Sequence, residues 1–147
     1  MVERISVFLE NKPGRFERVT KLLFDANVDI RGLTVSQMSD SGILKLLVDK
    51  ADVAYNTLNN DGFTVTKTYM IAARISDEKG SLYNLLQILS KNNINIDDCY
   101  GISIGSKDSK YAVILLEIDR SLCNKAENVL RDNSITILNE DEVINLK

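Results

Sequence analysis

The sequence contains no histidine and no tryptophan, and only two cysteines and one proline among its 147 residues. Without histidine there is no imidazole general base, no histidine metal ligand and no Ser-His or Cys-His nucleophile. Cys99 and Cys123 are too few and too far apart for a zinc or iron–sulfur motif. We therefore predict no catalytic residue, no cofactor and no metal.

Long apolar runs and a strong charge of one sign are also missing. No apolar run approaches the roughly 18 to 20 residues that a membrane span needs. The first residues, MVERISVFLENKPG, lack the basic start and apolar stretch of a secretory signal. The net charge of −3 argues against a surface that binds nucleic acid. We expect a cytoplasmic protein with neither a nucleic-acid partner nor a membrane partner.

What the sequence does contain is an internal repeat. A shift of 66 positions aligns residues 14–30 with residues 80–96, and four of these 17 positions are identical. Six of the 17 positions are apolar in both copies, two of them among the identical ones, and the turn residues match in kind. Such a pattern predicts a duplicated domain, here residues 1–68 and residues 69–147, without a flexible linker between them.

Both copies show the same order of predicted elements: strand, helix, strand, strand, helix, strand. In the first copy these are strand 4–10, turn 11–14, helix 15–26, strand 28–38, strand 43–48, helix 53–60 and strand 63–68. In the second they are strand 70–76, turn 77–80, helix 81–92, strand 94–105, hairpin 107–110, strand 111–118, helix 121–131 and strand 134–138.

Several details refine these elements. Asp52 is predicted to cap the helix over 53–60, with Val53 facing inward. A stripe that includes Leu82 and Leu85 is predicted to face the core. Gly101 is predicted to form a bulge, and the acidic residues 140–142 to form a solvated end. Both cysteines are expected to serve as small apolar residues.

The fold class that follows is α+β. Each copy corresponds to a split βαβ arrangement, in which a four-stranded antiparallel sheet carries two helices on one face. Because one such unit is small and has an exposed edge strand, two units placed side by side can cover each other's edges. The sequence thus predicts two ferredoxin-like βαββαβ units packed side by side.

The residues of the first turn resemble those of a known family. Leu9-Glu10-Asn11-Lys12-Pro13-Gly14-Arg15-Phe16, followed by Asn27-Val28-Asp29-Ile30, looks like the opening of an ACT domain. The first copy is particularly similar to the ACT unit of acetolactate synthase regulatory subunits. In the second copy, Asp77-Glu78-Lys79-Gly80-Ser81-Leu82 followed by Asn93-Ile94-Asn95-Ile96 matches the looser family pattern. The chain resembles a free-standing tandem ACT protein.

This resemblance implies a non-catalytic regulatory module that binds a small ligand, an L-amino acid, at the interface between its two ACT units. The implied ligand-binding residues are Asn11, Lys12, Pro13, Gly14, Asp29, Ile30, Asp77, Gly80, Asn95 and Ile96. The second turn departs from the family pattern because Lys79 replaces the proline and Asp77 replaces the amide. A metabolic enzyme is also implied as a partner. Pairing of two chains through their remaining sheet edges or helices would give a homodimer.

Elementary chemistry is consistent with such a ligand. A turn that ends in glycine at a helix start leaves backbone N–H groups without partners inside the helix. The helix dipole adds partial positive charge there, which favours a carboxylate. Asn11 and Asp77 can accept hydrogen bonds from an ammonium group. The same residues also have structural interpretations: Gly14 and Gly80 can merely allow the turn, and Asn11 and Asp77 can cap the helices.

Two other classes of function stay open. The chain can be a ligand-free interaction or oligomerisation module for an enzyme of amino-acid metabolism. It can also be an enzyme, because acylphosphatases share this topology, although residues 11–15 only partly imitate their anion loop. RNA-binding RRM domains share the topology too, but strand 43–48 lacks their stacking aromatic residues.

Overall fold

The structure, a computed structural model, describes residues 1–103 and 110–146. It divides into two compact units. The first unit is Glu3–Thr68, and the second unit is Tyr69–Lys147 together with Met1–Val2. The division falls inside one continuous strand, since β4 runs from Thr64 to Ser76.

The elements of the first unit appear in the predicted order. They are β1 (Val2–Glu10), α1 (Arg15–Asp25), β2 (Ile30–Met38), β3 (Ser41–Val48), α2 (Ala51–Asn60) and the start of β4 (Thr64–Ser76). The strand order is β2-β3-β1-β4, and β3 pairs antiparallel with both β1 and β2. This is the ferredoxin-like arrangement that the sequence predicts.

The second unit repeats this order. Its elements after β4 are α3 (Ser81–Lys91), β5 (Asp98–Ser103), β6 (Tyr111–Glu117), α4 (Cys123–Asp132), β7 (Thr136–Leu138) and α5 (Glu140–Ile144). The strand order is β5-β6-β4-β7, with antiparallel pairs throughout. The α+β class and the ferredoxin-like topology are confirmed in both units.

Each unit has its own apolar core, in which the strands bury one face against two helices. The first core includes Ile5, Val7, Val19, Leu23, Leu44, Leu46, Ala54 and Leu58. The second includes Ile71, Ala73, Leu85, Leu89, Ile114, Leu116, Ala126 and Leu130. Alternate strand residues and helix residues three or four apart supply these side chains, which is why the apolar periodicity located the elements.

The first helix of each unit, α1 in the first and α3 in the second, ends in the same way. Asn27 and Asn93 each adopt φ 54°, in the left-handed region that asparagine tolerates. The next residue then turns back, so that the N–H of Val28 donates to the carbonyl of Leu23 at 2.9 Å, and that of Ile94 to the carbonyl of Leu89 at 3.0 Å. These bonds satisfy carbonyl groups at the helix ends.

The start of α2 differs from the prediction. The helix begins at Ala51 after Lys50, and Asp52 makes no cap hydrogen bond. Its carboxylate instead accepts a hydrogen bond from Lys67 on β4, which raises the pKa of Lys67. Val53 points outward and is 41% exposed, because Ala54 and Leu58, four residues apart, form the buried face of this helix.

Two predictions about β5 are also wrong. The strand begins at Asp98 rather than at Ile94, because Ile94 is used to close α3 and lies in the core. Gly101 forms no bulge, since it pairs with Ile114 in an unbroken register. The predicted hairpin 107–110 falls almost entirely outside the described residues.

The last segment is a helix rather than a solvated end. Asn139 caps α5 in a capping box, accepting from the N–H of Glu142 at 2.9 Å, while its own N–H donates to the Glu142 carboxylate at 2.8 Å. Val143 is buried and anchors this helix. Its three acidic residues lie in the first turn, where the helix dipole favours them.

The two cysteines differ in burial, and so do the leucines of the apolar stripe of α3. Cys123 is buried and its thiol donates weakly to the carbonyl of Ile118, but Cys99 is exposed. On α3, Leu85 is buried and Leu82 is 44% exposed.

Among the described residues, no helix is both long enough and apolar enough to cross a membrane.

Candidate functional site

The two predicted turns share one backbone geometry. Gly14 precedes α1 with φ 86° and ψ −12°, and Gly80 precedes α3 with φ 91° and ψ −12°. Both lie in the left-handed region, which side chains other than glycine and asparagine rarely adopt. A Cβ atom built on either glycine meets no heavy atom within 4 Å. Both helices therefore begin at a glycine that borders open space.

Matching hydrogen bonds hold the two turns. The N–H of Asn11 donates to the carbonyl of Asp40 at 2.9 Å, and that of Asp77 to the carbonyl of Lys110 at 2.8 Å. In each unit this bond ties the end of the first strand to the start of the third. The repeat found in the sequence thus extends to individual backbone contacts of the turns.

Neither Asn11 nor Asp77 caps its helix, because α1 and α3 have no side-chain cap hydrogen bond. The amide Nδ2 of Asn11 donates instead to the carbonyl of Ser39 at 2.9 Å. The first N–H groups of both helices thus have no side-chain acceptor from the cap residue. The N–H groups of Arg15 and Ser81 donate to the turn carbonyls of Lys12 and Glu78 at 3.3 and 3.2 Å. The N–H groups that follow them, with the helix dipole behind them, can donate to an anion.

Charge distinguishes the two turns. At the first, Lys12 lies 2.8 Å from Glu10, and the Arg15 guanidinium lies 3.2 Å from the same carboxylate. Lys12 and then Arg15 lower the pKa of Glu10 by hydrogen bonding. Pro13 lies exposed between these cations. The second turn carries Asp77 and Glu78, with Lys79 as its basic residue.

The residues predicted to complete the sites lie at the starts of the second strands. Asp29 precedes β2, and its N–H donates to the Asp49 carboxylate at 2.8 Å. The guanidinium of Arg31 donates to the carboxylate of Asp29 at 3.2 Å. Ile30 is the first residue of β2. Asp29 is therefore held at the end of β3.

Asn95 and Ile96 occupy the corresponding place before β5, not within a strand as predicted. The amide of Asn95 donates to the Asp97 carboxylate at 3.1 Å. An open groove of about 570 Å³ passes over this segment. Its lining residues are Leu86, Ser90, Asn93, Ile94, Asn95 and Ile96.

Within one unit, the turn and the second-strand residues lie far apart. Asn11 is tied to the start of β3, and Asp29 to Asp49 just beyond its end. The eight residues of β3 span roughly 25 Å at strand geometry. One small ligand cannot contact both groups of the same unit. The resemblance to paired ACT units implies that each turn is grouped with the second-strand start of the other copy, Asn11 and Gly14 with Asn95, and Asp77 and Gly80 with Asp29. That grouping stays a prediction.

A further cavity that the sequence analysis did not find lies beside the first turn. This cleft, called the Arg15 cleft below, has a volume of about 350 Å³. Its walls include Phe8, Glu10, Arg15, Ser41, Asp61 and Phe63. A sequence signal existed, since the repeat places Arg15 and Arg18 where the second copy has Ser81 and Asn84.

Metal binding finds no support in the described part of the chain. Residues 1–103 and 110–146 contain no group of three or more histidine, cysteine, aspartate or glutamate side chains that could hold an ion. The burial of Cys123 raises the pKa of its thiol, which disfavours the thiolate that metal binding requires.

Comparison with known proteins places this geometry in a family. Residues 1–147 match the family described as an ACT domain pair. Protein BT0572 from Bacteroides thetaiotaomicron is similar in structure, with 26% identity and a TM-score of 0.88 over 99% of this chain and 96% of that one. The ligand-free regulatory subunit of aspartate kinase from Thermus thermophilus shares the fold, with 13% identity and a TM-score of 0.64 over 88% of this chain and 91% of that one. No curated protein matches the sequence. The family inferred from the residues of the two turns is confirmed: the chain belongs to the ACT domain pair family.

Proposed function

We propose that the chain is a non-catalytic regulatory module that binds an L-amino acid at turns 11–14 and 77–80. The observation that supports this most directly is the pair of uncapped helix starts at Gly14 and Gly80. The two turns differ in sequence, yet both have a glycine in the left-handed region, a hydrogen bond from their first N–H to the residue before the third strand, and open space beside the glycine.

An α-amino acid fits the chemistry of such a turn. Its carboxylate can accept hydrogen bonds from the N–H groups that follow Arg15 and Ser81 at the helix starts, where the dipole is favourable. Its ammonium group can donate to a side-chain oxygen of Asn11 or Asp77. The amide nitrogen of Asn11 is engaged with Ser39, which directs the amide's orientation. The relation of the chain to amino-acid metabolism is part of this proposal, as is its cytoplasmic location.

A thermal-shift screen against the twenty amino acids tests the proposal. A ligand at about 100 times its dissociation constant stabilises the fold by about 2.7 kcal/mol, which is several degrees at this size. We expect one amino acid, or a few related ones, to produce such a shift. A flat screen at millimolar ligand would contradict amino-acid binding.

Asparagine substitutions then locate the site. Gly14→Asn and Gly80→Asn keep a residue that tolerates the left-handed region, yet place a side chain in the open space. We expect each to weaken amino-acid binding. Gly62→Asn is the matched control, because Gly62 has φ +93° and equal open space but lies outside both turns. If all three variants bind equally, the turns are structural.

One observation favours a second candidate function, association with another protein. Strand β2 ends the strand order of the first unit, and β3 is its only partner among the described strands. Its side chains are largely exposed, with Leu33 at 49% and Met38 at 74%. An enzyme of amino-acid metabolism or a second copy of the chain would be the partner. Light scattering of Leu33→Lys beside the unchanged protein tests it, since loss of an assembled species is expected.

A further inference from the structure

We infer that the Arg15 cleft is a second binding site, separate from the two turns, for a carboxylate that carries an aromatic group and no ammonium group. The cleft lies wholly within the first unit, and its volume of about 350 Å³ is in the range of sites for small molecules. Its walls combine two aromatic side chains with a few polar groups, the composition typical of such sites.

The charges around the cleft leave one positive charge in excess. Lys12 and Arg15 share the carboxylate of Glu10, at 2.8 and 3.2 Å. Arg18 holds the carboxylate of Asp61 with two hydrogen bonds. Lys12 and Arg18 pair with these carboxylates from outside the cleft's lining, so the paired cluster holds three cations and two carboxylates. Arg15 is the cation on the wall itself, and its guanidinium has further N–H groups beyond the one it gives to Glu10. An incoming carboxylate would complete the balance.

The aromatic part of the ligand follows from what surrounds Arg15. Its guanidinium carbon lies 5.9 Å from the centre of the Phe63 ring, and Phe8 on the same cleft is 47% exposed. A ligand whose carboxylate binds Arg15 places its carbon skeleton beside these rings. Aromatic pairs are favoured beyond the area they bury. The hydroxyl groups of Ser41 and Thr64 can donate to the carboxylate.

An ammonium group is disfavoured for the same electrostatic reason. Both carboxylates of the cleft already accept from cations, and their pKa values are lowered by those contacts, from Lys12 in the case of Glu10 and from Arg18 in the case of Asp61. A further cation would be repelled by the one positive charge that these three cations hold in excess of the two carboxylates. The site therefore selects against the zwitterion that the turns are proposed to bind.

The second unit lacks the corresponding chemistry. The repeat places Ser81 at the position of Arg15, and its hydroxyl is engaged with that of Ser76 at 2.6 Å. Asn84 stands at the position of Arg18. We therefore expect one such site in each chain.

A pair of probes that differ in one group tests this site on the full chain. In isothermal titration, 3-phenylpropanoate is expected to bind at one site per chain. L-Phenylalanine, which adds the ammonium group, is expected to bind this cleft at least about tenfold more weakly. Amide NMR shifts of Ser41, Gly62 and Thr64 report the cleft itself. Arg15→Gln should lower the affinity for 3-phenylpropanoate by about tenfold or more, because a charged hydrogen bond is lost.

Arg131→Gln is the matched control, because Arg131 pairs with one carboxylate, Glu127, on the surface of α4. It should leave the affinity unchanged, and thermal unfolding should show that both variants are folded. Equal binding by Arg15→Gln, shifts confined to other amides, or tighter binding of L-phenylalanine at the cleft would overturn the inference. The proposed function is judged separately, by Gly14→Asn and Gly80→Asn, so either can fail alone.

Discussion

The guanidinium group of Arg18 holds the carboxylate of Asp61 with two hydrogen bonds, one of them 3.0 Å between Nε and Oδ2. Arg18 lies one turn into α1, and Asp61 is the C-cap residue that directly follows α2. The pair thus joins the two helices of the first unit. Hydrogen bonding from Arg18 lowers the pKa of Asp61.

This ion pair predicts a dependence of stability on pH. Because the pKa of Asp61 is lowered in the folded state, its stabilisation is complete above the ordinary aspartate value of about 3.9 and is lost as pH falls through the lower, folded value. We expect Asp61→Asn to be less stable than the unchanged chain at pH 7, with the gap closing below about pH 4. Urea unfolding at pH 7, 5, 4 and 3 measures it, with the surface variant Asp132→Asn alongside. A gap that is constant with pH would contradict the role of this pair.

Two leucines on α3 predict contrasting costs. Leu85 is completely buried in the second core, whereas Leu82, three residues earlier, is 44% exposed. Leu85→Ala should reduce the free energy of unfolding by about 2 to 5 kcal/mol, because it leaves a cavity. Leu82→Ala should cost less than about 1 kcal/mol. Urea unfolding of both variants checks this, and equal losses would show that Leu82 is packed in solution.

The features that the sequence predicted correctly depend on local patterns. Gly14 and Gly80 were identified because a helix and a strand pattern flank each at the same spacing, and the structure gives both the left-handed conformation that glycine permits. The order of elements followed from apolar periodicity, which is set by the geometry of helix and strand themselves. Such features need no knowledge of distant contacts.

The features that the sequence missed depend on distant partners. Asp52 has the residue type of a cap, but Lys67, fifteen residues away, takes its carboxylate. The Arg15 cleft exists only because β1, α1 and the segment before β4 converge. Helix α5 was missed because it is five residues long, three of them acidic, and Val143 is its one buried side chain.

The capping box of α5 gives a further prediction. Asn139→Ala removes the acceptor for the N–H of Glu142 and should cost about 1 kcal/mol of stability. Asn139→Asp retains an acceptor and should restore most of it. Chemical unfolding of the two variants makes the comparison. Equal losses would mean that the amide, rather than the cap, matters at this position.

The last prediction is that the two turns bind an amino acid unequally, with the first turn tighter. The first turn holds Lys12 and no acidic residue, whereas the second holds Asp77 and Glu78 beside Lys79, and its carboxylates repel a bound carboxylate. Exchanging Asn11 and Asp77 tests this. Asn11→Asp should weaken the tighter site and Asp77→Asn should strengthen the weaker one, each about two- to fivefold.

Isothermal titration with the amino acid identified by the screen resolves the two affinities, and Gly14→Asn and Gly80→Asn assign each to its turn. Asp141→Asn, which removes a negative charge far along the sequence on α5, is the control for net charge and should change neither affinity. Asn11→Asp also loses the hydrogen bond from its amide to Ser39, so its melting temperature is measured beside the titration. Two equal sites in the unchanged chain would contradict the inequality argued from these charges. A tighter site that survives Asn11→Asp but not Asp77→Asn would reverse its order.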